Sequence, residues 1–350
     1  MTKPVPSRIE PVFSPRLWGA RSLAPYFPNK TNLQEPLGEA WLTSTDSKIA
    51  NGPFAGKSLG DGWRAMPTAW CGTALAGIRE FPILAKFLFP TDKLSIQVHP
   101  DDDYAQEHEA AAGGRGKTEM WHIVSSRPGA EILFGLKEGV TRQDFLNAIT
   151  NDTLEDLLAR HHVQPGDTYF VAPGTQHALG AGIVVCEVQE YSDLTYRVYD
   201  FNRVDSFGKR RELHIDKAMQ VTRFGGAPPG KLTSLTLPSH DTKKDLLAAC
   251  PYFASERWTC DRPTSVDSDP AHFQLLIILE GAGRLFDTEN SFDYCIGETW
   301  FLPASLPSLK VDPEKSTILL RVYVPSMESF RRQLQSQGFD DMALSQVLVG

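Results

Sequence analysis

Residues 165–177 read PGDTYFVAPGTQH, and residues 296–308 read IGETWFLPASLPS. Both run Gly, acid, Thr, aromatic, Phe, aliphatic, and then enter a stretch with Pro or Ala. A glycine and an acid ahead of four residues of high strand propensity mark a turn that feeds a short strand, and the proline behind closes it. The same device twice, so far apart, points to two copies of one β-unit, because a solenoid would repeat at a much shorter period.

Outward from the first copy, β-branched and aromatic runs separated by Gly, Pro and Asp recur: FPILAKFLF (81–89), LSIQVHP (94–100), TEMWHIV (118–124), AEILFGL (130–136) and GIVVCEVQ (182–189). Strands at this spacing predict a sandwich or barrel. Two stretches read as helical insertions: DDDYAQEHEAAA (101–112), which opens on capping aspartates, and TRQDFLNAITNDTLEDLLARH (141–161), with apolar residues at helical spacing. His161 and His162 then fall at a helix C-terminus, where a cation suits the dipole. The expected organisation is a first β-unit over 1–225, a Gly/Pro/Ser-rich linker over 226–245, a second β-unit over 246–325 and a helical tail over 326–350.

Net charge is −8 with no basic block, which argues against nucleic acid and membrane as partners while leaving room for a small anion. Five cysteines without C-x-x-C spacing read as free thiols in a reducing compartment. The N-terminus lacks a signal-peptide core, so a cytoplasmic protein, monomeric or weakly dimeric, is expected.

In LSIQVHP, Ser95, Gln97 and His99 alternate with aliphatics and so share one strand face. In GKTEMWHIV, Lys117, Glu119 and Trp121 share a face, and an acid in an apolar strand is costly unless it is paired or holds a metal. His177 follows the Pro-Gly turn of the opening motif. Two imidazoles, a carboxylate and an amide oxygen make a tetrad suited to Zn²⁺ or another borderline divalent metal. The second copy has Ser308 where the first has His177, and FQLLIILEGAGRL (273–285) offers apolar residues where Glu119 would be. That copy is expected to bind no metal.

The Gly166, Gly174, His177 spacing resembles a conserved motif of cupin β-barrels. QVHPDD, KTEMWHIV, APGTQHALG and SDLTYRVYDFNR, with LWGA, GEAW and FPILAK upstream, together resemble the short bacterial form of class I phosphomannose isomerases. The likeness is good over residues 8–225 and looser beyond. It implies a mostly β fold of two cupin-type (jelly-roll) barrels, with helical insertions in the first and a degenerate second. It implies one zinc per chain on Gln97, His99, Glu119 and His177, an active-site Arg197, and a proton-transferring Glu187. Ser95 and Lys117 match substrate-contacting positions, and Arg203 stands where longer relatives carry a phosphate-binding lysine.

The implied reaction interconverts mannose 6-phosphate and fructose 6-phosphate through a cis-enediol(ate). Such chemistry needs a base, a positive centre for the developing oxyanion and a phosphate clamp. Zinc would polarise O1 and O2, Arg197 would stabilise the enediolate, and Lys117 with Arg203 would hold phosphate. Plainer readings stand beside these: Glu187 as an ion-pair partner of Arg197, Lys86 as structural, and Lys209, Arg210 and Arg211 as a solvated loop. Two other functions compete. An Fe(II) cupin dioxygenase would also use two His and a carboxylate, but it needs open positions and no phosphate clamp. A non-catalytic sugar-phosphate sensor is the third reading.

Overall fold

The computed structural model describes residues 3–205, 207–225 and 230–349. The two copies of the opening motif become equivalent strands, Thr168–Val171 and Thr299–Leu302, near one edge of two equivalent seven-stranded sheets. In the first sheet the order is Lys231–Leu232, Thr168–Val171, Glu119–Ser126, Ile183–Glu190, Ile83–Leu88, Leu37–Trp41, Val12–Ala20, all antiparallel. In the second it is Ser7–Ile9, Thr299–Leu302, Gln274–Glu280, Thr317–Tyr323, Ala254–Cys260, Lys243–Ala249, Leu235–Leu237. Each large sheet packs against a smaller one. The smaller sheet of the first unit has five strands, in the order Tyr196–Tyr199, Ile96–Val98, His177–Leu179, Glu131–Leu136, Leu158–His162. That of the second has four, Thr264–Asp267, Ser308–Pro313, Ala282–Phe286, Ser291–Cys295. The mostly-β class expected from the strand pattern therefore holds.

Period-2 alternation explains the layers. In the first unit Trp121, Ile123 and Tyr169 from the large sheet meet Ile132, Phe134 and Leu179 from the small one. In the second, Trp258 and Leu276 meet Leu285 and Val311. The outer faces of the two large sheets are apolar too. Phe81, Phe87 and Phe170 of the first pack with Phe253, Phe273 and Phe301 of the second, and the Phe273 and Phe301 rings stack 5.3 Å apart. Strands that bury both faces read as near-continuous apolar runs, as FPILAKFLF does.

Four details depart from the sequence reading. Strand Ser7–Ile9 adds to the edge of the second sheet, pairing Ser7 with Phe301, so the first residues do not all belong to the first unit. The stretch read as a linker contains strands Lys231–Leu232 and Leu235–Leu237 and the start of Lys243–Ala249, while its residues 226–229 lie outside the described ones. The insertion at 141–161 is α-helical only over Arg142–Thr150, behind a Thr141–Asp144 capping box, with a short 3-10 turn at Leu154–Leu157. Asp152 then takes a left-handed φ of 57°, and the chain continues into strand Leu158–His162. Its period-2 burial places His161 and His162 in a strand, where a helix end had been expected. Finally, Gln274 takes the register of Glu119: Glu119 pairs with Val171, and Gln274 with the equivalent Leu302. The position is polar, where an apolar residue had been expected. The tail forms helix Met327–Ser336 as read. Among the described residues no helix is long and apolar enough to cross a membrane.

Candidate active site

Strand pairing brings the metal-type residues together. His177, the first residue of its strand, stands directly opposite Gln97 in the small sheet. His99 lies just past the end of strand Ile96–Val98, and Glu119 opens its strand in the large sheet. Their ligating atoms lie within 4.8 Å of one another, and all three side chains are buried. Glu119 Oε2 is 3.6 Å from His99 Nε2, and Oε1 is 3.5 Å from His177 Nε2.

The backbone sets the imidazoles for metal. His99 Nδ1 donates to the Leu194 carbonyl and His177 Nδ1 to that of Thr175, both at 2.9 Å. Each proton is thereby held on Nδ1, and each bare Nε2 points at the same spot, as in histidine ligands oriented by an outer partner. Burial, followed by the charge on Lys117, pushes His99 well below its usual range. Burial likewise takes His177 to about 3, so both rings stay neutral. Lys117 Nζ pairs with Glu119 Oε2 at 2.9 Å, while Oε1 has no hydrogen-bond partner among the described residues. A fully buried carboxylate with one oxygen unsatisfied is costly, and a divalent cation would satisfy it. The Gln97 amide nitrogen sits 3.3 Å from His177 Nε2, and a half turn of that amide would present its oxygen to the same spot. The donor set fits a divalent metal of zinc type.

Beside this cluster opens a cavity of about 230 Å³. Ser95, Gln97, Lys117, Glu187 and Arg197 line it, so the structure gathers most of the residues singled out from the sequence. Glu187 is buried in the large sheet and accepts a 3.0 Å hydrogen bond from Trp121 Nε1. Its ion-pair neighbour is Lys86, 3.9 Å away, and not the Arg197 considered as its structural partner. Burial, then the charge on Glu119, pushes the Glu187 carboxyl up, with Lys117 and Lys86 opposing.

Arg203 is not brought to the cavity. Its guanidinium is held by Asp200, with Nε 3.2 Å from Oδ1, and it reaches Asp92 at 3.5 Å. Lysines and arginines read as structural or solvated stand on the wall instead. Lys86 lies 2.6 Å from Asp193 Oδ1 and 4.4 Å from the centre of the Trp41 ring. Burial alone would lower its pKa, but Asp193 and Glu39 outweigh that and hold it above the usual value. The sequence signal was a lysine inside an otherwise apolar strand, all six residues of which are buried. Arg211, read as part of a solvated loop, lines the cavity, as does Arg16, which carried no sequence signal.

This arrangement can hold a cation and polarise an oxygen, place a carboxylate of raised pKa within the same cavity, and present basic groups to an anion. The comparisons agree with that chemistry. A family described as phosphomannose isomerase type I, catalytic domain, matches residues 7–121, and mannose-6-phosphate isomerase, cupin domain, matches residues 242–324. The chain is 34% identical to the mannose-6-phosphate isomerase ManA of Bacillus subtilis over 315 residues, covering 88% of this chain and 96% of that protein. It is 33% identical to the mannose-6-phosphate isomerase of Streptococcus mutans over 311 residues, covering 87% and 94%. The crystal structure of the Bacillus subtilis mannose 6-phosphate isomerase superposes with a TM-score of 0.81 at 33% identity, covering 91% of this chain and 99% of the other. A buried His/Glu/His cluster beside a basic cavity, in a chain 34% identical to such an isomerase over 88% of its length, places this protein in the type I phosphomannose isomerase family.

Proposed function

We propose that this chain interconverts mannose 6-phosphate and fructose 6-phosphate, using one zinc ion held by Gln97, His99, Glu119 and His177. The observation that carries the reading is Glu119: a fully buried carboxylate with Oε2 paired to Lys117 and Oε1 without a hydrogen bond, 3.5 to 3.6 Å from the Nε2 atoms of His177 and His99. Held by these residues, a divalent cation would supply Lewis acidity toward the oxygens on C1 and C2 of the open-chain sugar.

The remaining steps belong to the chain's own side chains. Ser95 and Lys117 border the cavity next to Gln97 and orient the sugar oxygens. The Glu187 carboxylate takes the proton from one carbon of the C1–C2 pair and returns it to the other, by way of a cis-enediol(ate). Burial suits it to that task, because raising a carboxylate's pKa makes it a stronger base. Arg197, paired in register with Gln97, sets a guanidinium near the developing negative charge. No hydrolysis occurs, so no hydroxide nucleophile is required.

Formation of fructose 6-phosphate by the purified, metal-loaded protein supplied with mannose 6-phosphate tests the reading. Turnover is expected. A metal-loaded protein without turnover, but with intact sugar-phosphate binding, would return the chain to the sensor hypothesis.

A further inference from the structure

Resting on the isomerase reading, we propose that Arg211, flanked by Arg197 and Arg16, is the clamp for the phosphate group, and that Arg203 only braces it. The three guanidinium groups line one cavity with Ser95 and Gln97, although they come from three separated stretches of chain. Among the residues lining that cavity five are basic and three acidic, so its wall is positive within a protein of net charge −8.

Donor bookkeeping favours Arg211. Its Nε donates to Asp200 Oδ2 at 2.8 Å and one Nη2 hydrogen goes to Asp200 Oδ1. Among the described residues its Nη1 group has no partner, so the outer edge of the fork is free for two phosphate oxygens. Arg197 spends one donor on the Glu212 carbonyl at 2.9 Å, and its buried Nε has no partner among the described residues. Arg16, Arg197 and Arg211 are like charges on one cavity wall, and a dianion between them would relieve their repulsion.

Arg16 is delivered by a local irregularity. Leu37 pairs with both Pro15 and Ala20, so residues 16–19 bulge out of the strand and carry Arg16 and Trp18 to the cavity wall. Glu39 then fixes the Arg16 fork, accepting from Nε at 2.9 Å and Nη2 at 3.0 Å. Most donors of Arg16 are thus spent, and its part is positive charge at the rim. Arg203 shares Asp200 with Arg211 and lies off the cavity, which makes it a support for the carboxylate that aims Arg211.

The test uses metal-loaded parent, Arg211→Gln, Arg211→Lys and Arg16→Gln proteins, with inorganic phosphate titrated calorimetrically and mannose 6-phosphate kinetics measured in parallel. Losing a bidentate guanidinium in Arg211→Gln should weaken phosphate binding and raise KM by about tenfold or more, with kcat changed less than about threefold. Arg211→Lys, which keeps the charge and the partner Asp200, should fall between parent and Arg211→Gln. Arg16→Gln should show the smaller, salt-sensitive loss of a flanking charge. Unchanged phosphate affinity and KM in Arg211→Gln would overturn the proposal, as would a fall in kcat with KM unchanged. A parent that binds phosphate but turns over no sugar phosphate would overturn the isomerase reading and leave the clamp standing.

Discussion

Lys86 and Glu256 occupy the same place in their two sheets, with the charge reversed. Lys86 stands opposite Glu187 in the first unit, and Glu256 stands opposite Arg321 in the second. The register that aligns Glu119 with Gln274 also aligns Glu187 with Arg321. In the second unit the polar groups are spent on one another. Arg321 donates to Glu256 at 2.9 Å and to Gln274 Oε1 at 2.7 Å, while Trp258 and Tyr323 complete Glu256. In the first unit the position of Gln274 is held by Glu119, whose Oε2 pairs with Lys117 at 2.9 Å and whose Oε1 has no hydrogen-bond partner among the described residues. The second unit thus spends this polar cluster on itself, and the first leaves a carboxylate oxygen open beside two imidazoles.

That contrast predicts how the units respond to mutation. Arg321→Leu leaves the buried Glu256 without its cation, which should cost about 3–5 kcal/mol of stability. Metal content and kcat/KM measured below the melting range should stay at parental values. A loss of metal in this variant would show that the second unit takes part in the metal site.

The proposed metal ligands give the converse result. His99→Ala should lower metal stoichiometry and turnover together, because the remaining donors no longer close the site. Elemental analysis beside an activity assay decides it. Full turnover without metal would refute the zinc mechanism.

Glu187 and Arg197 should separate chemistry from metal binding. Arg197→Ala should keep its metal and lose kcat by on the order of a hundredfold or more if the guanidinium meets developing charge. Glu187→Gln should also keep its metal, with kcat lower by roughly a hundred- to ten-thousandfold. In the parent, burial raises the Glu187 pKa, so the active carboxylate is lost as pH falls through a value above the ordinary carboxylate range. The acid limb of kcat/KM should lie there, and a limb at the ordinary glutamate value would remove Glu187 as the base.

Glu190 offers a stability measurement independent of the chemistry. Burial, followed by the nearby Asp102, raises its pKa to about 7 from an ordinary value of 4.5. The folded state therefore binds a proton that the unfolded chain releases between those values. Stability from this group is present below pH 4.5 and falls as pH rises toward about 7, beyond which the full cost is paid. Glu190→Gln should consequently gain melting temperature over the parent at pH 8 and much less at pH 5. An equal gain at both values would contradict the assignment.

The legible part of this protein was whatever follows from side-chain periodicity. The alternation in LSIQVHP put Ser95 and Gln97 on the cavity wall and His99 in the His/Glu/His cluster, and the cost of an acid in an apolar strand marked Glu119. The repeated Gly-acid-Thr motif identified two equivalent strands. What escaped depends on tertiary placement. Arg16 reaches the cavity only through a bulge, Arg211 through a shared carboxylate at Asp200, and strand Ser7–Ile9 joins a sheet whose other strands lie more than two hundred residues on. No local pattern encodes those. The strand at His161 and His162 was hidden by a helical-looking run that the left-handed turn at Asp152 interrupts.

The central claim is that Glu119, His99 and His177 wait for a metal on which turnover depends. The most direct test is to assay fructose 6-phosphate formation and metal content in one sample as purified, after exhaustive chelation, and after return of one equivalent of zinc. The account predicts that activity disappears with the metal and returns with zinc, while chelated Glu119→Gln protein stays inactive and takes up none. Undiminished turnover in the fully chelated protein would contradict it.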